Sequence, residues 1–547
     1  MAWGIFAGMS PAPFIGAGRA VLLAGLALTV VPSAAAAQMV IELTDFAQAP
    51  ITGKFGGEAN LWPLARINVM RPEPGSQDRF FVADLNGPLY IFDKSTKSFT
   101  TYLDFNGRDE RQGLFQRFTF LNGWANGLIT VQFDPDYATN GRFYTLHLEE
   151  PQLDAPAAPA AGVVPDLDLT GYEPAEPEPI VGAVERHGVL IEWTDTNTAD
   201  TTFQGKAREL IRFSLNTRIH PPGDIVFNPT ARPGDADWRV MYLSVGDSGA
   251  GEQKDERRTN PQRLDQLVGK ILRIVPDLDA RQATTTVSRN GRYRVPNDNP
   301  FVDVPGARPE IWTLGFRNPH RLWWDVDPSG AAGNRLIAMH IGQHSWETVD
   351  FVERGANFGY SEREGNQRMR PTDNLTEALP DDDTIPLRVD ATTTHGTVTP
   401  SYPVLQYSHA MGLAIAGGLV YRGERIPELQ GKFIFGDIAN GRLWYADYDA
   451  MIAADDGKPE TLAEFHPIRI RWTPPGADVP VEYSNVREIA AAGFEARRAA
   501  DPSAGAAPVP SRADLRLAVD ADGELYVTTK TDGTIRAVVG ATMEQAN

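Results

Sequence analysis

The chain of 547 residues contains no cysteine, so disulfide bonds cannot contribute to its stability. A chain of this length can instead rely on a large buried core and on any bound ion. Positive charge is also scarce, since 51 Lys and Arg against 71 Asp and Glu give a formal net charge of −20. This balance argues against a nucleic-acid partner, whose phosphates attract basic surfaces. It is compatible with neutral sugars or with cations.

One extended apolar run lies near the N-terminus, where Arg19 precedes apolar residues that end at Val31, followed by Ala34–Ala37. One positive charge, a run of about a dozen apolar residues and an Ala-x-Ala end are typical of a secretory signal. The alternative, a membrane anchor, is disfavoured because the run is short for a bilayer and no charged stop follows it. We therefore predict that residues 1–37 are a signal peptide cleaved after Ala37. The mature protein is then periplasmic or secreted, without a membrane span.

The sequence also lacks the Gly-x-Ser-x-Gly turn of serine hydrolases and the phosphate-binding Walker loop. What recurs is an aromatic-rich strand, a Gly/Asp turn and a second strand. Four such strands are Phe80–Val82, Phe143–Thr145, Met241–Leu243 and Leu525–Val527. Radial repetition of small antiparallel sheets is typical of a β-propeller. We predict an all-β fold with long inter-strand loops, as one domain over residues 38–547; a two-domain sandwich is the alternative, but no linker divides the chain.

Two stretches depart from the strand pattern. Residues 150–182 are rich in Pro, Ala and acidic residues and cannot bury enough apolar surface to order themselves, which predicts a surface insertion. Residues 489–507 are rich in alanine and form either a short helix or a linker.

The most informative stretch runs from Val240 to Asp277. Residues 241–245 alternate as a half-buried strand does, and residues 268–274 return as a second strand. Between them, residues 246–251 are rich in glycine, which supplies the left-handed backbone conformations of sharp turns. Asp247 stands at the end of the first strand, and His220 lies upstream in an Ile-His-Pro-Pro-Gly segment.

Several motifs occur in a fixed order along the chain. They are Asn126–Leu128 with Asn140–Gly141, Ser244–Asp247 with Leu267–Ile274, Pro309–Trp312 with Arg317–Pro319, Gly342–Gln343 with Trp346–Glu347, Gly355–Tyr360, and Tyr421–Gly423. With these motifs the chain resembles the soluble quinoprotein glucose/sorbosone dehydrogenases, the PQQ-dependent aldose sugar dehydrogenases. The resemblance implies a six-bladed β-propeller whose site lies on the central axis. It also implies a small-molecule sugar or polyol as substrate, PQQ and calcium as cofactors, and an external electron acceptor.

The resemblance assigns His220 as the general base, which takes the proton of the sugar hydroxyl while hydride passes to the quinone. Neutral imidazole can accept a proton near pH 7, and the quinone supplies the redox chemistry that side chains lack. The alternative is a histidine that caps a turn. The calcium ion is implied at Gly342 and Gln343, with the oxygen donors Glu347 and Asp350 nearby. The alternative there is an acidic turn without an ion.

Residues predicted to contact the cofactor are Asp247, Arg317, Asn318, Arg512 and Arg516. The chain departs from the family pattern at four places, which are Ser248–Gly251 (a basic residue and an amide expected), Ile438–Gly441 (a lysine expected), Ala513 with Leu515 (paired arginines expected) and Ala125 (often glutamine). A trianionic cofactor without charge-assisted partners binds weakly. These departures favour an alternative function, a non-catalytic propeller that binds carbohydrate or a protein partner.

Three further histidines, His340, His344 and His409, are candidates for a role in the site. His409 is predicted to serve packing. His340 and His344 near Glu347 could suggest a transition metal, but their spacing has that meaning mainly on a helix, and this region is predicted to be strand and turn.

Overall fold

The computed structural model describes residues 37–55, 63–119, 126–327, 329–330 and 333–545. The predicted signal sequence up to residue 36, and Ala125, lie outside these residues. The described part of the chain consists mainly of strands, which confirms the predicted all-β class. None of the helices in this part is both long enough and apolar enough to cross a membrane.

The strands, in chain order, are β1 (Ala37–Gln48), β2 (Ile67–Pro72), β3 (Arg79–Asp84), β4 (Pro88–Asp93), β5 (Ser98–Asp104), β6 (Leu128–Phe133), β7 (Arg142–Glu149), β8 (Asp166–Asp168), β9 (Pro177–Glu178), β10 (Arg186–Asp195), β11 (Gln204–Leu215), β12 (Pro222–Phe227), β13 (Met241–Val245), β14 (Lys270–Ile274), β15 (Thr285–Val287), β16 (Arg294–Pro296) and β17 (Ile311–Leu314). They continue with β18 (Asn318–Asp325), β19 (Arg335–Ile341), β20 (Trp346–Phe351), β21 (Arg363–Glu364), β22 (Gln367–Met369), β23 (Thr376–Glu377), β24 (Ile385–Arg388), β25 (Thr394–Val398), β26 (Leu405–Ser408), β27 (Ile415–Val420), β28 (Lys432–Asp437), β29 (Leu443–Asp447), β30 (Phe465–Trp472), β31 (Val481–Tyr483), β32 (Leu515–Val519), β33 (Leu525–Thr529) and β34 (Thr534–Gln545). The described helices are α1 (Tyr137–Asn140), α2 (Tyr448–Ala454) and α3 (Val486–Ala500), with 3-10 turns at Ala250–Glu252, Glu256–Gln262, Gln282–Thr284 and Pro427–Leu429.

Successive strands pair into small antiparallel sheets. Four of these are β2-β3-β4-β5, β6-β7-β10-β11, β12-β13-β14-β17 and β18-β19-β20-β26. The strands β27 to β30 and β32 to β34 belong to one larger sheet that β1 joins. β1 pairs antiparallel with β34 and parallel with β30, so the first described strand is built into the last part of the fold.

The first strands of these units, β2, β6, β12, β18, β27 and β32, contact one another in that order, and β32 contacts β2. The sheets are therefore arranged around a common axis, as in a propeller. We call the end of a sheet at which its first strand begins the leading end. Because neighbouring strands are antiparallel, the turn between the second and third strands lies at this same end. Loops that enter the first strands and turns that follow the second strands therefore lie together.

Paired aromatic residues in the strands are explained by packing on both faces of each sheet. Phe80 and Phe81 follow one another in β3, so their side chains point to opposite faces. The ring of Phe80 lies 6.0 Å from that of Tyr526 in β33, and the ring of Phe81 lies 4.9 Å from that of Phe133 in β6. This sheet thus buries both faces against its neighbours, which is why consecutive residues in the middle of β3 are apolar.

Polar side chains link several first strands at the axis. Asp224 of β12 is 1% exposed, and its Oδ1 lies 2.7 Å from Nη2 of Arg71 in β2. The same oxygen accepts a hydrogen bond from Thr130 Oγ1 of β6 at 3.2 Å, and Asp224 Oδ2 accepts one from the backbone N–H of Leu322 in β18 at 3.2 Å. One carboxylate therefore connects four sheets.

The segment of residues 150–182 is ordered by the sheet next to it. β8 and β9 both pair in parallel with β11, and the side chains of Leu167 and Tyr172 pack against the core. Glu178 forms an ion pair of 2.8 Å with Arg308. The segment is thus ordered by pairing with the edge strand β11 and does not form a core of its own.

The alanine-rich stretch contains a helix, α3, which ends at Ala500. The carboxamide oxygen of Asn485 accepts a hydrogen bond from the backbone N–H of Glu488 at 3.1 Å and caps its N-terminus.

Candidate functional site

His220 lies in the loop that enters β12, at the leading end of its sheet. Its backbone has φ = 50°, in the left-handed region that non-glycine residues rarely adopt. The His220 carbonyl accepts a hydrogen bond from the backbone N–H of Ser248 at 3.1 Å. The loop crosses so close to Gly246 that a Cβ there would lie 2.3 Å from the His220 carbonyl oxygen. The glycine after β13 is therefore required by the position of His220.

The imidazole of His220 is held by Asp247. Nδ1 of His220 lies 2.7 Å from Oδ1 of Asp247. The two carboxylate oxygens of Asp247 also accept hydrogen bonds, each of 2.8 Å, from the backbone N–H groups of Gly249 and Gly251. A carboxylate fixed in this way acts only as an acceptor, which places the proton of the neutral imidazole on Nδ1. Nε2 then keeps its lone pair, and no residue that the structure describes forms a hydrogen bond with it.

The surroundings of His220 favour its neutral form. Burial lowers the pKa of His220 below its usual value, the charge of Arg317 lowers it further, and Asp247 acts in the opposite direction. The imidazole is therefore unprotonated at neutral pH, which is the state a general base needs.

Arg317, predicted to contact the cofactor, is linked to its neighbours through both backbone and side chain. Its carbonyl accepts a hydrogen bond from the backbone N–H of Asp247 at 2.7 Å, and its own N–H donates to Nε2 of His340 at 2.9 Å. The guanidinium donates from Nε to Glu252 Oε1 at 3.0 Å and from Nη1 to the carbonyl of Gly342 at 2.5 Å. Its charge is therefore already paired.

The turn predicted to hold calcium, Gly342 and Gln343, lies at the leading end of the next sheet. The carbonyl of Gly342 accepts the hydrogen bond from the guanidinium of Arg317. Oε1 of Gln343 accepts a hydrogen bond from the hydroxyl of Tyr360 at 3.1 Å. The backbone N–H groups of residues 343–346 all donate to Oε1 of Glu364. A buried carboxylate therefore organises this turn.

The other two predicted calcium ligands, Glu347 and Asp350, lie on β20. Three residues apart on a strand, they point to opposite faces of the sheet. Glu347 lies 2.8 Å from Nε2 of His409 and accepts a hydrogen bond from the backbone N–H of Ile415 at 2.7 Å. Asp350 instead accepts a hydrogen bond from the hydroxyl of Thr348 at 2.9 Å. Burial raises the pKa of each carboxyl to about 7. These two carboxylates cannot bind the same ion.

No group of three or more His, Asp or Glu side chains within the described ranges is arranged to hold a metal ion. His340, considered as a transition-metal ligand, uses Nε2 to accept the N–H of Arg317. Burial and then the charge of Arg317 lower its pKa to about 3, so it stays neutral. His409, predicted to serve packing, instead pairs with a carboxylate, and 19% of its side chain is exposed.

The remaining predicted cofactor contacts lie at or near the axis. Asn318, the first residue of β18, is buried next to Arg317. Arg516 of β32 is also buried and donates from Nε and Nη2 to Oδ1 of Asn68 at 3.1 and 3.0 Å. Burial lowers its pKa to about 9. Arg512, in the loop that enters β32, donates from Nε to Asp514 at 3.0 Å.

Two residues of this region were not predicted, His320 and Lys530. Nε2 of His320 is buried and has no hydrogen-bond partner in the part of the chain that the structure describes. Burial lowers the pKa of His320 strongly, and the charges of Arg321, Arg516, Lys530 and His220 lower it further, in that order. All of these side chains therefore share one neighbourhood. Lys530 is the first residue after β33, the second strand of its sheet, and Gly246 has the same position after β13. The strand repeat could therefore have indicated Lys530, although none of the sequence motifs contains it.

Comparison with known families gives a match to the family described as Glucose / Sorbosone dehydrogenase, over residues 212–478. This range includes His220, Asp247, Arg317 and the turn at Gly342. The resemblance predicted from the motifs is confirmed.

Relatives with curated descriptions are distant. The chain is 24% identical over 392 residues to the HIPL1 protein of Arabidopsis thaliana, which covers 69% of this chain and 51% of that protein. It is also 24% identical over 240 residues to the aldose sugar dehydrogenase YliI of Escherichia coli (strain K12), which covers 43% of this chain and 47% of that protein. The chain thus spans about half the length of the curated relatives it matches.

Among solved structures, the apo-form of the soluble aldose sugar dehydrogenase of Escherichia coli matches with a TM-score of 0.50. The match covers 93% of this chain and 100% of that chain at 13% sequence identity. At this identity the similarity concerns the fold alone.

Proposed function

We propose that the protein is a sugar or polyol dehydrogenase of the quinoprotein type, with His220 as the general base. The observation that carries this proposal is the His220–Asp247 pair, in which Nδ1 is 2.7 Å from the carboxylate. The pair leaves Nε2 as a proton acceptor at the leading end of the sheets. The match to the glucose/sorbosone dehydrogenase family supports the same chemistry.

In this mechanism each residue of the site has a defined task. Asp247 keeps the Nδ1–H tautomer and stabilises the imidazolium that forms when Nε2 takes the hydroxyl proton of the substrate. Arg317 keeps the pKa of His220 low before the transfer. PQQ, when bound, would accept the hydride, which no side chain here can do. An external electron acceptor would be needed to complete the turnover.

The residues present fit an anionic cofactor. Arg516 and Arg321 are buried cations at the axis, and Nε2 of His320 lacks a partner among the described residues. Burial lowers the pKa of Arg516 and Arg321, to about 9 and 10, so both gain from an added negative charge. Carboxylate groups on a ligand would supply that charge.

Calcium remains a prediction from the resemblance. Gly342 has its carbonyl paired with Arg317, and Glu347 and Asp350 point to opposite faces of β20. These donors do not fit a single ion, and no step of the mechanism depends on one. The test is the melting temperature with a chelator and after calcium is added back. A reversible change supports the ion, whereas an unchanged melting temperature removes it.

We also propose that the propeller has six blades and that the protein is exported. The contacts of β2, β6, β12, β18, β27 and β32 in a closed order support six blades. Cleavage after Ala37 would leave β1 in place from Gln38 onward, so the strand that joins β30 and β34 is compatible with removal of a signal sequence.

The alternative, a propeller that binds carbohydrate or a protein without turnover, is favoured by one observation. Arg317, a predicted cofactor contact whose charge acts on His220, already pairs with Glu252 and with the carbonyl of Gly342. A cofactor that needed this guanidinium would have to displace both contacts.

The decisive experiment is titration of the apo-protein with PQQ, followed by dye reduction with a panel of aldoses and polyols. We expect saturable binding and turnover in the wild type, and binding without turnover in His220→Ala. Asp247→Asn should retain binding and lower kcat by about 10²–10⁴-fold, because the tautomer is no longer fixed. His395→Ala, which replaces an exposed histidine, is the matched control and should behave as the wild type. Absence of PQQ binding in the wild type would favour the non-catalytic alternative.

A further inference from the structure

We propose that Lys530, together with Arg516 and Arg66, forms a site for a ligand that carries several carboxylates, in place of the anchors expected elsewhere in the chain. The expected positions at Ser248–Gly251 and Ile438–Gly441 contain no basic residue. This inference rests on the proposed function, because it assigns the anionic groups of the cofactor to particular side chains.

Lys530 lies in the turn between β33 and β34, at the leading end of its sheet. Its backbone N–H donates to the carbonyl of Asp514 at 3.3 Å, and its carbonyl accepts the N–H of Ala65 at 3.2 Å. The turn is therefore fixed between the loops that enter β32 and β2. Arg516 is the second residue of β32, and Arg66 directly precedes β2.

A comparison with another buried lysine shows what is unusual. Lys270 is also buried, but its ammonium donates to the carbonyls of Asn260, Pro261 and Val268 at 3.0, 2.9 and 2.7 Å. Lys530 is 5% exposed, and within the described ranges its side-chain nitrogen forms neither a hydrogen bond nor an ion pair. A largely buried amine without a protein partner would be stabilised in its charged form by a negatively charged ligand.

The charges near Lys530 are mostly of its own sign. Burial lowers its pKa well below the usual value; Arg516, Arg66 and Arg321 lower it further, and Asp514 is the carboxylate that opposes them. The buried Nε2 of His320, also without a partner among the described residues, lies in the same neighbourhood. The chain has a net charge of −20, yet several cationic side chains lie together here. This cluster suits a ligand that carries several carboxylate groups.

The test compares Lys530→Met with Lys206→Met, which removes a lysine that is 68% exposed. PQQ binding to the apo-protein is measured by calorimetry at fixed salt, and citrate and inorganic phosphate are titrated in parallel. We expect Lys530→Met to raise the Kd for PQQ by about 10–100-fold, the effect of one lost charge-assisted hydrogen bond. Lys206→Met should leave it unchanged, and Lys530→Arg should retain most of the affinity.

Thermal unfolding gives a second readout that does not depend on turnover. Apo Lys530→Met should melt no lower than the apo wild type, because a polar group without a protein partner has been removed from a largely buried position, and PQQ should raise its melting temperature less. An equal Kd for PQQ in Lys530→Met and Lys206→Met would overturn the inference and leave the dehydrogenase proposal standing. Citrate binding that depends on Lys530, without PQQ binding, would support the carboxylate site and reject the quinoprotein function. Binding of phosphate alone, or of none of the three, would overturn the inference.

Discussion

A buried imidazole between a carboxylate and a guanidinium experiences two opposing electric fields. His220 is in this position, with Asp247 in direct contact and Arg317 close by. Burial and the guanidinium together outweigh the carboxylate, so the pKa of His220 lies below its usual value of 6.5. A base with a low pKa is available at lower pH, at the cost of a weaker drive for proton transfer.

The pH dependence of kcat/KM follows from these signs. The acidic limb should lie below pH 6.5 in the wild type, because activity is lost only when His220 becomes protonated. In Arg317→Gln the loss of the cation raises the pKa of His220, so the limb should move to higher pH. Arg469→Gln, a change at the distant strand β30, is the control and should not move it. An acidic limb at the same pH in Arg317→Gln and the wild type would contradict this account.

At the scale of elements, β1 has two different neighbours. It pairs with β34 and with β30, so its loss would expose two unpaired strand edges. Ile41 is 1% exposed in this strand and lies opposite Ala541 and Ile470, whereas the next residue, Glu42, is exposed. Alternation along one strand thus provides a core position and a surface position that share the same backbone pairing.

Ile41→Ala should therefore lower the free energy of unfolding by about 2–5 kcal/mol, the usual effect of truncating a buried isoleucine. Glu42→Ala should change it by less than about 0.5 kcal/mol. Urea denaturation of both variants measures the difference. Equal stabilities would mean that β1 contributes little to the cooperative unit.

For the whole molecule, the central question is how separate sheets are held around one axis. Asp224 contacts residues of three other first strands, and its partner Arg71 lies 153 positions away in the sequence. Such contacts form only when the sheets have closed around the axis. They therefore report on the assembled molecule and not on any one sheet.

Asp224→Asn should cost about 3–5 kcal/mol, because it leaves the Arg71 guanidinium without its buried partner. Arg71→Met should cost less when introduced into Asp224→Asn than into the wild type, since the ion pair is already lost. Denaturant unfolding of the two single variants and the double variant gives this coupling. Strictly additive effects would show that the pair is not a link across the axis.

The local pattern of the sequence was sufficient for strands, turns and sheet class. The strand predicted at Phe80–Val82 lies within β3, and the strands predicted before and after Gly246 are β13 and β14. Apolar alternation and turn residues act over a few positions, so a single sequence displays them. Asp247 was predicted to contact the cofactor, whereas its contact with His220 is visible only in the structure.

The tertiary structure alone decided the pairing of β1 with β30 and the neighbourhood of Lys530, which no motif indicated. It also showed that Glu347 and Asp350 point apart and that Arg317 is already paired. The physical reason is sequence separation. Arg321 donates to the carbonyl of Asn68 across 253 positions, and Arg516 donates to the side chain of the same residue across 448. Local sequence specifies each sheet, whereas closure of the ring decides which charges meet at its centre.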